Sequence, residues 1–411
     1  MARKMKDSGI EWIGEIPEGW EVVQLKRFAE VHNGREIDVE VDSTDSSAVG
    51  VYGSGGVFKY TNRAQYSGKA VLFGRKGTLG KPLYVEGQLW AVDTMYFLTY
   101  SNRLLEKFSY YQFLAFNWAP YITHTAIPSV VASEIVACYF PIPPLEEQAK
   151  IADYLDNGCA SLDTILDKTR SSIEEYKKLK QAVITQAVTK GVRGKREMKD
   201  SGNPWFGQIP TDWKLSRVGL HFSIILGKML CNAPLNDTYT LEPYYCAADV
   251  HFDGVADGER KKMWFSPIEK DLYRVSVGDL LVVEGGAGAG GSAIVENQDS
   301  YTYIQNSIMI VRSKGNTDNR YLRYLLEFLV KQGYIDVVCN KATIPHFTKD
   351  KLSCVPFCLC GEQEEIADYL DAKCADIDKL IAKKEQLVKE LENYKKSLIF
   401  EYVTGKKELR R

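Results

Sequence analysis

The chain is written twice, and that repetition restricts what it can fold into more than any single motif does. Met5 to Leu25 reads MKDSGIEWIGEIPEGWEVVQL and Met198 to Val218 reads MKDSGNPWFGQIPTDWKLSRV, ten identities in 21 positions at an offset of 193. Trp12, Pro17 and Trp20 fall on Trp205, Pro210 and Trp213, and Gly34-Arg35 falls on Gly227-Lys228. Further along, Glu147 to Asp163 (EQAKIADYLDNGCASLD) matches Glu362 to Asp378 (EQEEIADYLDAKCADID) at eleven of 17 positions, now at an offset of 215. Two similar frames therefore enclose two inserts that share little identity, the second longer by 22 residues.

A length of 411 residues exceeds what one ordinary core organises, so at least two domains are expected. Hydrophobic residues at 45% and charged residues at 26% exclude a wholly disordered, collagen-like or disulfide-scaffold chain. Nine cysteines, an odd number without a secretion signal, point to reduced thiols. The first twenty residues carry charges where a signal peptide needs its apolar centre, and no apolar run of about 18 residues occurs, so a cytoplasmic location is expected. With a formal net charge of -2, any nucleic-acid binding must come from local basic surface or from basic partners.

The second repeated phrase begins a long helix in each copy. After Pro143-Pro144, heptad spacing picks out Leu155, Cys159, Leu162, Leu166, Thr169, Ile173, Tyr176, Lys180, Val183 and Ala187. Adding 215 gives Leu370, Cys374, Ile377, Ile381, Lys384, Val388, Leu391, Lys395, Leu398 and Tyr402, with polar residues in the same two layers. A helix from Glu146 to Val188 would run about 65 Å, too long for one small domain, so the two helices are expected to pair as an antiparallel coiled coil related by a pseudo-two-fold axis. The expected division is 1–144 for a first globular domain, 145–190 for a central helix, 191–358 for a second globular domain and 359–411 for a C-terminal helix.

Both inserts read as α+β. In the first, Val49 to Tyr60, Lys69 to Phe73, Pro82 to Val85 and Met95 to Tyr100 are strand candidates, and Leu104 to Trp118 has helical spacing. In the second, strands are expected from Val277 to Glu284, Ser292 to Glu296 and Ser307 to Arg312, and a helix from Arg320 to Tyr334. From Ser46 to Val85 there is no Asp or Glu, while Lys59, Arg63, Lys69, Arg75, Lys76 and Lys81 stand among Tyr52, Tyr60 and Tyr66, a surface suited to phosphate. Tyr301 to Ser353 holds eight Lys/Arg against four Asp/Glu, with Arg260-Lys261-Lys262 outside it. Each insert also has a Gly-rich turn (Phe73 to Gly80; Glu284 to Gly291) and a Thr/Ile/Pro turn after its helix (His124 to Pro128; Lys341 to His346). The DNA-contact candidates are thus Lys59, Arg63, Arg75, Lys76, Thr78, Lys81, His124 and Thr125 in the first copy. In the second they are Lys228, Lys261, Lys341, Thr343, His346 and Lys349.

Catalytic patterns do not survive inspection. Gly286, Gly288 and Gly291 satisfy GxGxxG, but the segment after them reads as a strand where a dinucleotide site needs a helix. Cys354, Cys358 and Cys360 near His346 have irregular spacing and no counterpart in the first copy, so they read as buried free thiols and no metal site is expected.

The order of half-repeats, the opening phrase SGxxWxGxIPxxW (Ser8 to Trp20, Ser201 to Trp213), PIPPLEEQ at Pro141 to Gln148 and the helix endings at Val188-Thr-Lys-Gly and Val403-Thr-Gly-Lys together resemble the specificity (S) subunit of type I restriction-modification systems. The second copy departs from the pattern: Pro356-Phe-Cys-Leu-Cys-Gly-Glu-Gln363 lacks the double proline. The resemblance implies a non-catalytic DNA-binding subunit whose two globular target-recognition domains each read one half of a split, asymmetric site, with the coiled coil setting the gap. It implies two methyltransferase subunits and ATP-driven restriction subunits as partners, with S-adenosylmethionine, ATP and Mg held by those partners. The competing reading of the residues alone is a coiled-coil scaffold whose two globular ends bind proteins and have no DNA role.

Overall fold

The computed structural model describes residues 3–123, 125–297, 301–339 and 345–409. The chain forms two compact units, Met1–Ser171 with Lys384–Arg411, and Ser172–Lys383. Each of the two long helices is divided between the units, because each portion buries its apolar side on the globular part beside it.

In the first unit, six strands run in the order Ala29–Asn33, Met95–Tyr100, Tyr66–Gly74, Leu83–Ala91, Val49–Gly53 and Gly56–Thr61. All neighbours are antiparallel except Val49–Gly53 on Leu83–Ala91. The expected strand from Val49 to Tyr60 is a hairpin, broken where Gly56 takes a positive φ of 103°. The helix Glu106–Ala115 lies against the sheet, and Phe73, Phe108 and Phe113 are fully buried between them.

The second unit repeats the central order. Phe222–Leu226, Ile308–Ser313, Leu280–Val283 and Ser292–Ile294 form a four-stranded sheet, covered by the helix Asn319–Lys331. The first strand sits 193 residues after Ala29–Asn33 and the second 213 after Met95–Tyr100, so inserts of dissimilar sequence share a topology. In a three-stranded sheet, Thr240–Tyr245 pairs antiparallel with Lys261–Phe265 and parallel with Tyr303–Ile304, as Val49–Gly53 pairs antiparallel with Gly56–Thr61 and parallel with Leu83–Ala91 in the first unit. The glycines that mimic GxGxxG lead into the strand Ser292–Ile294.

The long helices span Leu145–Lys190 and Gln363–Val403. Loss of the double proline places the second start after Gly361 without interrupting the helix. In both, two glutamates occupy the first turn, where they offset the positive end of the helix dipole. Within the first unit, Leu155, Cys159 and Leu162 share a core with Leu398, Ile399 and Tyr402. Asp163 meets Lys395 and Arg170 meets Glu392, so these segments run antiparallel. Within the second unit, Ile184, Ala187 and Val188 share a core with Ile366, Ala367, Leu370 and Cys374, and Lys180 meets Asp378. Of the expected seam, Leu155, Leu162, Leu166, Ile173, Leu370 and Ile377 are buried, whereas Tyr176, Ile381, Val388 and Leu391 are half-buried.

Each unit is closed by the same clamp. Trp20 is buried and donates from Nε1 to Glu147 at 3.0 Å, while Arg3 makes two bonds to that carboxylate at 2.6 and 3.0 Å. Trp213 donates likewise to Glu362 at 2.9 Å, and Arg196 bonds it at 2.5 Å. Burying an indole removes roughly 150–250 Å² from water, worth about 4–6 kcal/mol at 25 cal/mol per Å². The paired glutamate spares the indole N–H an unsatisfied burial. Next to it, buried Gln148 accepts from the Leu105 amide at 2.8 Å and buried Gln363 from the Asp318 amide at 3.0 Å. One turn or two further on, Tyr111 donates to Asp156 at 2.6 Å and Tyr324 to Asp371 at 2.7 Å. Burial, and then the bond to a carboxylate, push both phenols far above their ordinary pKa. The repeated phrase EQxxIADYLD is thus explained by what it grips: an indole, a loop amide and a helix of the insert.

The cysteines are free thiols, and the expectation that all three of the C-terminal cluster are buried needs correction: Cys358 and Cys360 are buried but Cys354 is exposed, at the end of a one-turn helix.

Candidate nucleic-acid interface

In the first unit, the strand Tyr66–Gly74 runs out into Arg75-Lys76-Gly77-Thr78. This turn does not stand alone. The Gly77 amide donates to the Pro128 carbonyl at 2.9 Å, the Val130 amide donates to the Arg75 carbonyl at 3.0 Å, and Lys76 and Ser129 form an antiparallel bridge. Gly77 has a φ of +81°, and a Cβ at Gly74 would lie 2.3 Å from the Thr78 carbonyl oxygen, so the backbone can double back only with glycine at these places. The partner segment is itself tied into a loop by Thr123, whose amide donates to the Ser129 carbonyl at 3.0 Å and whose hydroxyl accepts from the Ser129 amide at 3.0 Å.

The second unit builds the same ladder from other residues. The Gly286 amide donates to the Pro345 carbonyl at 3.1 Å, the Phe347 amide donates to the Glu284 carbonyl at 2.6 Å, and Gly285 and His346 form the antiparallel bridge. Arg75, Lys76 and Ser129 are thereby placed in correspondence with Glu284, Gly285 and His346. Residues far apart in the sequence thus form one composite turn in each unit, Arg75 to Gly77 with Pro128 to Val130 and Glu284 to Gly286 with Pro345 to Phe347.

Lys76, Thr78 and Lys81 are exposed, and Arg75 is half-buried with its guanidinium 5.7 Å from the centroid of the Tyr96 ring. Among the described residues no carboxylate pairs with any of these three cations. Arg63 is exposed, as is Thr125, whose hydroxyl donates to the Ile127 carbonyl at 2.7 Å. His346 and Lys349 are exposed beside the second composite turn, and Lys351 reaches the His346 carbonyl at 2.7 Å. His124, Lys341 and Thr343 lie outside the described residues.

Other candidates are placed elsewhere. Lys59 pairs with Glu40 at 2.8 Å and Lys69 with Glu86 at 3.7 Å, so acids flanking the acid-free stretch neutralise part of it. Lys228 is 9% exposed, bonded to Glu269 at 2.6 Å and set against the rings of Tyr239 and Phe265. Burial works to raise the Glu269 carboxyl, but bonds from Lys228 and Ser266 outweigh it and hold the carboxyl below its usual range. An ammonium so enclosed braces the fold and is not offered to phosphate, which removes Lys228 from the DNA candidates. Of the Arg260 triplet, Arg260 pairs with Asp249 while Lys261 and Lys262 face solvent from an edge strand.

A feature that the seam pattern passed over lies on the outer sides of the long helices. In the first unit Tyr154, Ile165 and Tyr394 are exposed; in the second unit Tyr369, Leu380 and Leu179 are. These are the same three positions at the 215 offset. Along a helix at 3.6 residues per turn, positions 154 and 165 fall about 20° apart and about 100° from the buried seam, as do positions 369 and 380 in the second unit. The repetition of apolar residues outside the heptad positions was the signal that could have found them.

Comparison with known proteins adds the following. Residues 17–175 match the family described as type I restriction modification DNA specificity domain. A type I restriction enzyme MjaX specificity subunit of Methanocaldococcus jannaschii is 26% identical over 439 aligned positions, covering 96% of this chain and 95% of that one. The MjaVIII specificity subunit of the same organism is 27% identical over 52% of this chain and 51% of its own. Among solved structures, a chain from a study of complex assembly and conformational transition of the type I R-M system has a TM-score of 0.70 at 17% identity, covering 95% of this chain and 99% of that one. The HsdS subunit from Thermoanaerobacter tengcongensis has a TM-score of 0.51 at 18% identity, covering 95% and 98%. These two share the fold.

Proposed function

We propose that this chain is a specificity subunit of a type I restriction-modification system, as the match over residues 17–175 and the full-length relative support, and that it reads a two-part DNA site, one half with each unit, and recruits catalytic partners while performing no chemistry itself. The doubled frame carries this reading. A clamp, a helix contact and a composite turn recur in both units, yet the side chains on the turns differ, as reading two unlike half-sites requires. The long helices set the number of base pairs between the halves.

The partners are methyltransferase and restriction subunits, and two methyltransferase copies bind. The repetition of Tyr154, Ile165 and Tyr394 as Tyr369, Leu380 and Leu179 supports that number, since two equivalent apolar faces suit two copies of one partner. S-adenosylmethionine, ATP and Mg²⁺ belong to those partners, and the complex works in the cytoplasm, where the DNA is. The scaffold alternative has no observation of its own in its favour.

The test is to express the chain with its methyltransferase and map methylated adenines in genomic DNA by single-molecule sequencing. One asymmetric motif in two parts with a constant gap is expected. A continuous motif, or no methylation together with no DNA binding, would overturn the reading.

A further inference from the structure

We infer that the composite turn is the base-reading element of each unit, with Arg75 and Lys76 reading in the first unit and His346 in the second. The inference rests on the proposed DNA-specificity role and names the residues that execute it.

Three observations converge on it. First, the cross-strand ladder is built twice from unrelated side chains. Arg75 to Val130 and Glu284 to Phe347 are the same bond, as are Gly77 to Pro128 and Gly286 to Pro345. At buried places the two units keep the same residues, as with Trp20 and Trp213 or Tyr111 and Tyr324. Here the main chain is kept and the residues are exchanged: half-buried Arg75 for half-buried Glu284, exposed Lys76 for Gly285, half-buried Ser129 for exposed His346. Packing does not explain that exchange, because Lys76 and His346 face solvent. Two heads on a common mount that must read different bases require it.

Second, the charges at the first turn are uncommitted. Lys59, Lys69 and Lys228 already have carboxylate partners, whereas Arg75, Lys76 and Lys81 have none among the described residues. Third, Arg75 is oriented in advance. Its main chain is fixed on both sides, by its amide to the Thr94 carbonyl at 2.7 Å and by its carbonyl to Val130, and its guanidinium sits over Tyr96. A planar guanidinium held this way loses little freedom on meeting the O6/N7 edge of a guanine, where two parallel bonds distinguish the base. A lysine on a mobile stem, such as Lys81, is better suited to phosphate.

The experiment uses the chain co-purified with its methyltransferase, a pool of randomised duplexes for selection, and four variants: Arg75→Ala, Arg75→Lys, Lys76→Ala and His346→Ala. Arg75→Lys keeps the charge and removes the bidentate fork, so a phosphate contact survives it and a base contact does not. Arg75→Ala and Arg75→Lys are both expected to lose roughly 5- to 150-fold discrimination at one base pair of one half-site. His346→Ala is expected to relax a position in the other half only. If Arg75→Ala weakens every sequence alike, lowers the salt dependence by about one ion and is rescued by Arg75→Lys, the residue holds phosphate and the inference fails. It fails equally if selected motifs are unchanged in all four variants. Loss of any selected motif with the parent complex would instead strike at the DNA-specificity reading itself.

Discussion

Lys395 Nζ lies 2.6 Å from Asp163 Oδ1 in the first unit, and the same bond, displaced by 215 residues at both ends, joins Lys180 Nζ to Asp378 at 2.6 Å in the second. A lysine in a seam layer is costly to bury alone, and each unit answers it with an aspartate from the opposite helix. The side chains are 26% and 51% exposed in the first pair, so solvent screens much of the attraction. A double-mutant cycle with Lys395→Ala and Asp163→Ala should give a coupling of about 0.5 kcal/mol by denaturant unfolding. Lys395→Asp alone should destabilise, and adding Asp163→Lys should restore part of the loss; no recovery in the exchanged pair would show that the bond does not help fix the antiparallel register.

The two clamps differ in depth. Glu362 is 2% exposed and Glu147 is 26% exposed. Glu362→Gln removes the buried carboxylate that Arg196 bonds and leaves that guanidinium only the exposed Asp212 at 3.7 Å, at an expected cost of about 3 kcal/mol. Glu147→Gln should cost about 1 kcal/mol, since water reaches Arg3. Urea unfolding of the two variants measures the difference, and equal losses would contradict it.

Gly405 ends the second long helix at a φ of +71°, where an added Cβ would lie 2.4 Å from Pro17 Cδ and 3.0 Å from the rim of Trp20. Gly9 has a φ of +70° with nothing within 4 Å of such a Cβ. Both Gly→Ala changes incur the left-handed backbone cost of roughly 1–2 kcal/mol. Only Gly405→Ala adds the clash, so its melting temperature should fall clearly further than that of Gly9→Ala.

Burial pushes the Cys360 thiol up to about 12 and the Cys374 thiol up to about 11, and carries Cys358 higher still. Since the folded values lie above those of the unfolded chain, the stability tied to these neutral thiols is complete below about pH 9. It is lost as pH rises from there toward 12, because the unfolded chain ionises first. At pH 8 a disulfide reagent should modify exposed Cys354 quickly and reach Cys358 and Cys360 only after denaturation. Fast modification of Cys358 in the native protein would contradict this burial.

Removing seven residues from the middle of each long helix shortens both by about 10 Å, or roughly three base pairs. The gap in the methylated motif should contract by about that amount while both halves stay the same. An unchanged gap would mean that the helices do not measure DNA.

Periodicity made the long helices legible, since Leu155 and Leu162 in the first and Leu370 and Ile377 in the second stand one heptad apart, and Gly158 alone does not break the run. The strand Met95–Tyr100 is legible in its short run of apolar and aromatic residues, but the sequence reading of Leu83–Ala91 reaches only to Val85, because Glu86, Gly87 and Gln88 interrupt the apolar run and are exposed in the structure. Lys228 was misjudged because nothing local shows that Glu269, 41 residues on, will meet it. Cys354 was misjudged for the converse reason: its turn faces outward while those of Cys358 and Cys360 face inward.

The sequence by itself determined that there are two copies of one frame, that each carries a long helix, and that their apolar seam positions correspond, because identity at a constant offset and spacing at a constant period are properties of the chain alone. Tertiary structure alone decided that the helices are divided between units, which cations are already paired, and that two turns distant in sequence become one exposed element. Those outcomes depend on which segments meet across long loops, and the hydrogen bonds and ion pairs that fix the meeting exist only once the chain has closed on itself.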